Sequence, residues 1–220
     1  MCGRFTMRTP GAAVAEVFGL PEIPFLQPRF NIAPTQPVPV VRKLPGDGRQ
    51  LALLRWGLIP HWADDPAIGN RMINARSETV ATKPAFRGPF RNHRCLIVAD
   101  GFYEWQKTDG KKQPWYIRIN DDKPFAFAGL WDHWDKGEKP IESCTILTTD
   151  ANEAVKPLHD RMPVILDRRD FDAWLDPRQD PKTLQTLLRP YPWEKMVVFR
   201  VDTLVNNPRH EDPRCVVPAA

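Results

Sequence analysis

The sequence predicts one α+β domain with a mainly antiparallel, barrel-like β core and short peripheral helices. The chain has 220 residues, of which 42% are hydrophobic, and this is enough to bury one core. Short runs rich in β-branched and aromatic residues outnumber the stretches with helical periodicity, so strands dominate. The 24 prolines are scattered along the chain and favour many short elements joined by fixed turns. We therefore treat residues 1–220 as a single domain.

Eight segments have the apolar, β-branched composition of strands. The predicted strands are residues 38–42, 51–57, 95–105, 115–119, 125–131, 143–149, 162–166 and 196–201. The longest of them, CLIVADGFYEW at 95–105, is predicted as one continuous strand.

Helices are predicted where a capping residue or an early proline precedes a periodic stretch. They are expected after Thr9 with Pro10 in the first turn, after Ser77, after Asp150, near 168–175, and after Asp180 with Pro181 at the start. The last segment, NNPRHEDPRCVVPAA from residue 206, has no periodic pattern. We expect it to be a loosely ordered tail, or a loop with one docked segment.

Several classes of protein are disfavoured by composition. No run of about 18 apolar residues exists for a membrane helix, and no basic region leads into an apolar stretch at the start, so we expect a cytoplasmic protein. Cys2, Cys95, Cys144 and Cys215 are far apart, without C-x-x-C spacing, which argues against a zinc site and a disulfide framework. Cys95 and Cys144 lie in apolar runs and are predicted to be inert core residues. We expect no metal and no cofactor.

Positive charge is concentrated in one segment. The formal net charge is +4, yet residues 71–94 alone carry a net +5, which leaves the remainder near neutral at −1. The segment has one acid, Glu78, and six basic residues: Arg71, Arg76, Lys83, Arg87, Arg91 and Arg94. Such a segment suits a phosphate-backbone partner, but a solvated basic face has the same composition. Both interpretations stay open.

The chain begins MCGRF, so removal of Met1 would leave Cys2 with a free α-amine beside its thiol. This 1,2-aminothiol condenses with aldehydes to a thiazolidine ring. An α-amine has a pKa of about 7.7 to 8.0 and is partly neutral at cellular pH, so it can attack an aldehyde, after which the thiol can close the ring. Composition alone can also place a cysteine at the second position.

Proton transfer for such chemistry needs an acid with a pKa near neutrality, and Glu104 in GFYEW is the best candidate. Strand alternation places Glu104 on the same face as Phe102 and Gln106, with Tyr103 and Trp105 on the other. Aromatic crowding would desolvate the carboxyl group and raise its pKa. A surface glutamate paired with a lysine is the alternative.

Further polar candidates lie in HDRMPVIL and INARSET. His159 could shuttle protons and Arg161 could bind a phosphate, although a histidine at this position could equally cap a helix end. Asn74, Arg76 and Ser77 could orient a substrate or bind phosphate, although Ser77 could simply cap a helix.

Tryptophan is abundant, with eight residues in the chain. Aromatic rings interleaved with basic residues can stack unpaired bases, as single-strand binders do. We expect most of these rings in the core, with Trp62 and Trp105 as the first choices for a surface site because each lies beside polar candidates.

An ordered set of motifs carries a family resemblance. The motifs are MCGRF, WGLIP, NARSET, CLIVADGFYEW, AGLW, TILTTDAN and HDRMPVIL. From Cys2 to about Leu166 the sequence resembles the SOS response-associated peptidase family, whose members are abasic-site processing proteins. The resemblance implies that mature Cys2 cross-links the ring-opened aldehyde of an abasic site in single-stranded DNA as a stable thiazolidine, which shields the lesion.

The same resemblance implies roles for the other candidates. Asn74 would orient the amine and the sugar, Glu104 would protonate the sugar oxygen during ring opening, and His159 would assist proton transfer at the imine and in reversal. The implied phosphate contacts are Arg4, Arg76 and Arg161, with Ser77 and Thr148 as lesser ones. The expected protein is a monomer, associated with the nucleoid when bound to DNA.

Two other functions remain possible from the sequence. One is an N-terminal-nucleophile cysteine peptidase that removes its own Met1, which would need an oxyanion hole and a peptide groove. The other is a non-covalent single-strand binding module, which leaves Cys2 without a role. The basic segment at 71–94 favours a DNA partner over a peptide groove.

Overall fold

The computed structural model describes residues 2–44, 46, 48–108 and 111–219. The strands are β1 (Phe5–Met7), β2 (Arg29–Ile32), β3 (Pro37–Lys43), β4 (Arg49–Trp56), β5 (Asn74–Arg76), β6 (Arg94–Ala99), β7 (Gly101–Thr108), β8 (Lys111–Ile119), β9 (Phe125–Trp134), β10 (Ile141–Asp150), β11 (Arg161–Pro163), β12 (Ile165–Leu166) and β13 (Met196–Arg200). The helices are α1 (Gly11–Phe18), α2 (Pro84–Asn92), α3 (Phe171–Leu175) and α4 (Pro181–Leu187).

Five strands close into a barrel in the order β4, β3, β6, β9, β10, with β10 returning to β4. The β10–β4 contact is parallel and the other four are antiparallel. β5 and β11 also pair with β10, and β12 pairs with β9. A second sheet has the order β13, β8, β7, β1, β2. The predicted α+β fold with a mainly antiparallel barrel is therefore confirmed.

The predicted strand at 95–105 is wrong, because two strands of different sheets meet there. β6 belongs to the barrel and β7 to the second sheet, and Asp100 lies between them. Its buried carboxylate accepts hydrogen bonds from the Thr6 hydroxyl (2.6 Å) and the backbone N–H of Thr9 (2.8 Å). Gly101 then passes against Tyr116, whose hydroxyl would lie 2.0 Å from a Cβ at that position. These contacts turn the chain from one sheet into the other.

Two predicted helix starts are also wrong. After Ser77 the chain makes turns, and α2 begins only at Pro84, so Ser77 caps no helix. After Asp150 the described residues again form turns without an α-helix. The other helices are confirmed, and at α4 the Asp180 side chain accepts a hydrogen bond from the Thr183 backbone N–H, as its capping role predicts.

The predicted strand at 162–166 is interrupted. β11 pairs with β10, whereas β12 pairs with β9 on the other side. Between them, the Val164 backbone N–H donates to the Leu147 carbonyl (2.8 Å) and the Val164 carbonyl accepts from Ala128 (2.9 Å). The segment therefore crosses from one barrel strand to the next.

The last segment is docked, so the loose-tail alternative is wrong and the docked loop is right. The Glu211 carboxylate accepts hydrogen bonds from the Asn31 backbone N–H (2.9 Å) and from Arg29 Nε (2.7 Å). Cys215 is fully buried and packs with Tyr103 and Tyr116. These contacts are made by single residues and join segments far apart in sequence. A local hydrophobic period therefore could not predict them.

The second sheet packs on the barrel through the aromatic side chain of Phe5 in β1. The Phe5 ring lies edge-on to Trp56 (5.1 Å between centroids) and to Phe127 (5.7 Å). Cys95 and Cys144 are fully buried in the same core, which confirms them as core residues, and burial raises the pKa of each thiol. No described helix has the length and apolar character needed to cross a membrane. The packing of β1 fixes the position of the N-terminal segment.

Candidate active site

Cys2 lies where the second sheet meets the barrel. In the antiparallel pairing of β1 and β7, Phe5 is opposite Phe102, and the Tyr103 backbone N–H donates to the Arg4 carbonyl (3.0 Å). The next residue of β7 is Glu104, so the pairing brings the start of the chain beside that carboxyl group. The Cys2 side chain is fully buried. Met1 lies outside the described residues.

Asn74 contacts Cys2 directly. β5 pairs in parallel with β10, with Asn74 opposite Ile146, and this pairing holds the amide at the edge of the barrel. Its Nδ2 donates a hydrogen bond to the Cys2 carbonyl (2.8 Å). Its Oδ1 is buried and accepts no hydrogen bond from a described residue. The amide oxygen is thus an available acceptor beside the N-terminal residue.

Glu104 is a buried acid. The carboxyl-bearing side chain shares a face of β7 with core residue Phe102, while Tyr103 and Trp105 pack in a separate cluster on the other face, as the alternation predicted. Only 3% of Glu104 is exposed, so the surface alternative is wrong. Burial raises the pKa of Glu104 to about 7, and the negative charge of Asp160 acts in the same direction. Near neutral pH the carboxyl group can therefore both donate and accept a proton.

The Cys2 thiol is held in its protonated form. Burial raises its pKa well above the usual range, and the negative charge of Glu104 adds to the effect. The sulfur lies 3.9 Å from the Arg4 carbonyl oxygen, to which the S–H donates. A thiol in this state is a weak nucleophile until a base accepts its proton.

His159 follows a turn and lies two residues before the start of β11. Its Nδ1 accepts a hydrogen bond from the Arg161 backbone N–H (2.9 Å) and lies 2.7 Å from Asp160 Oδ1. Burial lowers the pKa of His159, so the neutral imidazole is favoured at pH 7. His159 lines an open pocket of about 510 Å³ together with Asp150, Lys156 and Asp160.

The four predicted chemical residues are thereby brought together from distant parts of the sequence. Asn74 touches Cys2, and Glu104 interacts electrostatically with Cys2 on one side and with Asp160, next to His159, on the other. Among the described residues, no group of three histidine, cysteine, aspartate or glutamate side chains could hold a metal ion.

Arg161 is engaged by the protein itself. Its guanidinium donates two hydrogen bonds to Glu78 (2.6 and 2.9 Å), one to Asp150 (2.6 Å) and one to the Thr148 carbonyl (2.8 Å). Arg161 is 8% exposed. Its assignment as a phosphate contact stays a prediction, and a phosphate would have to compete with two carboxylates.

The Arg161 network also has a structural consequence. We expect Arg161→Ala to lower the free energy of unfolding by about 2 kcal/mol, because hydrogen bonds to charged groups are lost and the buried Thr148 carbonyl loses a donor. Urea denaturation measures this change. Arg169→Ala is the control, because Arg169 is 73% exposed and should change stability little. Equal stability of both variants would contradict the structural role.

The other predicted phosphate contacts differ in accessibility. Arg76 is exposed, and Arg4 is held by Asn31 Oδ1 (2.6 Å) and the Val205 carbonyl (2.9 Å). Ser77 and Thr148 are buried, and the Thr148 hydroxyl donates to the Ala75 carbonyl (3.4 Å). All of them stay predictions, with Arg76 the most accessible cation.

The basic segment is smaller than its composition suggests. Arg94 is 4% exposed and donates hydrogen bonds to the carbonyls of Phe90 (2.6 Å) and Trp174 (2.7 Å). Its side chain therefore stabilises the fold and is not part of a basic surface. The exposed basic residues of the segment are Arg71, Arg76, Lys83, Arg87 and Arg91.

The two predicted surface tryptophans lie apart from each other. Trp62 is 45% exposed and lines an open pocket with Arg71. Trp105 lies on the face of β7 opposite to Glu104, with Nε1 donating to Asn206 Oδ1 (2.6 Å). The tryptophan on the same face as Glu104 is Trp115, its direct partner in the β7–β8 hairpin. Sequence reasoning missed Trp115, and only the hairpin register could have identified it.

Comparison of the sequence with known proteins identifies one family. The family described as "SOS response associated peptidase (SRAP)" matches residues 1–208. Abasic site processing protein YoqW of Bacillus subtilis (strain 168) is 44% identical, over 98% of this chain and 99% of that protein. Abasic site processing protein HMCES of Gallus gallus is 34% identical, over 87% of this chain and 66% of that protein. A crystal structure of a protein from Bacteroides thetaiotaomicron has a TM-score of 0.90 and 26% identity, with 100% of both chains covered.

Proposed function

Because the chain belongs to the SOS response associated peptidase family, we propose that it processes abasic sites by cross-linking them covalently to Cys2 in single-stranded DNA. The observation that carries the proposal is the contact between Asn74 Nδ2 and the Cys2 carbonyl (2.8 Å) beside the buried acid Glu104. An N-terminal cysteine, an amide and an acid titrating near neutrality are the groups that trapping of an aldehyde requires.

The reaction begins with ring opening of the deoxyribose, which is mostly a cyclic hemiacetal. The C1′ hydroxyl gives its proton to solvent water, the C1′–O4′ bond breaks, and O4′ takes a proton from an acid, which regains one from solvent. Glu104 supplies that proton, because its pKa of about 7 leaves a large protonated fraction at cellular pH. The product is a free aldehyde at C1′.

The α-amine of mature Cys2 then attacks C1′. Asn74 Oδ1, the buried acceptor beside this residue, orients the amine. The carbinolamine loses one water to give an imine, and the thiol sulfur adds to the imine carbon while its proton passes to nitrogen. The balance is aldehyde plus aminothiol to thiazolidine plus water. The imidazole of His159, whose pKa is lowered by burial, transfers the protons at the imine, forwards and in reversal.

The protonation state of the thiol supports this order of steps. A cysteine peptidase attacks its substrate with a thiolate, and its thiol pKa is lowered accordingly. Here burial raises the pKa of Cys2, so the amine is the stronger nucleophile and the thiol acts second. This favours the aldehyde trap over the peptidase alternative.

Charged residues near the site support a DNA partner. Exposed Arg76 lies at the end of β5, two residues after Asn74, and would neutralise a phosphate beside the reacting sugar. Arg4 and Arg161 would contribute further phosphate contacts from the segments that carry Cys2 and His159.

Trapping is tested by mixing the mature protein with three single strands that have an abasic site, a borohydride-reduced abasic site or no lesion. Only the first has an aldehyde. We expect a species that survives denaturing electrophoresis with the first strand alone. A covalent species with the reduced strand, or none with any strand, would contradict the proposal.

We expect Asn74→Ala to slow cross-linking by about 10-fold or more, because the amine of Cys2 loses an orienting acceptor. The measurement is the single-turnover rate with an abasic strand. Asn70→Ala is the matched control. Asn70 Oδ1 accepts a hydrogen bond from the Arg55 guanidinium (2.7 Å) and not from Cys2. Equal rates for Asn74→Ala and the control would contradict the orienting role.

We expect Arg76→Gln to weaken binding of undamaged strands and to lower the slope of log affinity against log salt by about 0.7, the value for one phosphate contact on a single strand. Titrations at several salt concentrations measure both. An unchanged slope would remove Arg76 from the DNA contacts.

A further inference from the structure

One row of side chains crosses the second sheet at the level of the site. Glu104 on β7 is the direct partner of Trp115 on β8, and Trp115 is the direct partner of Arg200 on β13. Direct partners in an antiparallel pair present their side chains on the same face, with Cβ atoms about 5 Å apart. Trp115 therefore comes next to the acid, and Arg200 follows.

The indole of Trp115 is held in a defined orientation. Its Nε1 donates a hydrogen bond to Gln106 Oε1 (3.2 Å), and Arg200 Cζ lies 5.3 Å from the ring centroid. Trp115 is half-buried, whereas Arg200 is exposed. The row therefore ends in an accessible guanidinium layered on a fixed aromatic ring.

This arrangement has the chemistry of a nucleotide site. Unpaired bases stack on aromatic rings and on arginine guanidinium planes, and arginine also neutralises the adjoining phosphate. The other end of the row holds the carboxyl group that acts on the abasic sugar. A strand with its abasic sugar at Glu104 would thus bring a neighbouring nucleotide over Trp115 and Arg200.

We propose that Trp115 and Arg200 form a stacking subsite for a nucleotide that flanks the abasic site. The proposal rests on the proposed function and adds a second point of contact to it. An abasic site has no base of its own, so the protein must obtain stacking energy from a neighbour. The subsite supplies that energy and sets the sugar in line with Glu104.

The subsite is tested with strands in which the base on one side of the abasic site, then on the other, is replaced by a tetrahydrofuran residue, which has no base and no aldehyde. We measure cross-linking at subsaturating protein. For the unaltered protein, removal of the base on one side should lower the rate by about 10-fold. Trp115→Ala and Arg200→Gln should lower the rate on the normal strand and be insensitive to that replacement.

The controls separate the possible failures. Trp193→Ala removes an exposed tryptophan that lies just before β13, beyond the end opposite to Arg200, and should keep full sensitivity to the flanking base. Arg200→Gln removes an exposed side chain, so it keeps the test valid if Trp115→Ala fails to fold. Cross-linking by the Arg200 variant with undiminished sensitivity would overturn the subsite. Absence of any cross-link with the unaltered protein would instead overturn the proposed function.

Discussion

We expect Cys2→Ala to abolish the stable cross-link while leaving reversible binding of the abasic strand intact. Alanine at position two keeps a small residue after Met1, so the α-amine still becomes free and can still form an imine. Without a thiol the ring cannot close. The adduct should therefore disappear on denaturation, and it should reappear when the imine is trapped with cyanoborohydride during the incubation.

Cys215→Ala serves as the matched control for that variant. It also removes a buried thiol, but Cys215 packs with Tyr103 in the docked last segment. We expect this variant to form the stable product normally. A stable adduct with Cys2→Ala would contradict the separate roles of amine and thiol. So would a cyanoborohydride-dependent adduct that forms with the unaltered protein only.

The second large effect is expected for Glu104→Gln. Glutamine keeps the shape of the side chain but cannot donate the proton that ring opening requires, so we expect the rate to fall by about 100- to 10,000-fold. Binding of an undamaged strand should change little. The single-turnover rate and the binding affinity, measured on the same preparation, separate the two effects.

The pH dependence gives a more specific test of Glu104. The active form is the protonated carboxyl group, so its contribution is lost as pH rises through a pKa of about 7. The amine works in the other direction, because its neutral fraction increases as pH rises through a pKa of about 7.7 to 8.0. We expect a maximum near neutral pH for the unaltered protein and a rate that only rises with pH for Glu104→Gln. A maximum retained by the variant would remove Glu104 from this role.

The alternation of side chains along a strand predicted which face of β7 carries Glu104. The alternation of β7 correctly placed Glu104 opposite to Tyr103 and Trp105, because side chains of a strand alternate between its two faces. The burial of Glu104 could not be obtained in this way, since it depends on β1, which is only three residues long and is too short for a periodic signal. The raised pKa follows from that burial.

Contacts between distant segments are the part of the site that local pattern could not supply. The ion pairs of Arg161 are an example, because its partners Glu78 and Asp150 come from other parts of the chain. Arg94 looked like part of a basic face, but it satisfies carbonyls at the ends of two helical segments, including that of Trp174. Trp105 stays a prediction as a surface aromatic contact, whereas Trp115 is identified only by its pairing with Glu104 across the hairpin.

The central claim is that an N-terminal aminothiol traps an aldehyde, and intact mass tests it most directly. The purified protein is weighed before and after incubation with a single-stranded oligonucleotide that has one abasic site. The account predicts a starting mass that lacks methionine, and a product equal to protein plus oligonucleotide minus one water that survives denaturation. A protein without methionine that gives no adduct with the damaged strand would contradict the account and direct attention to peptide substrates.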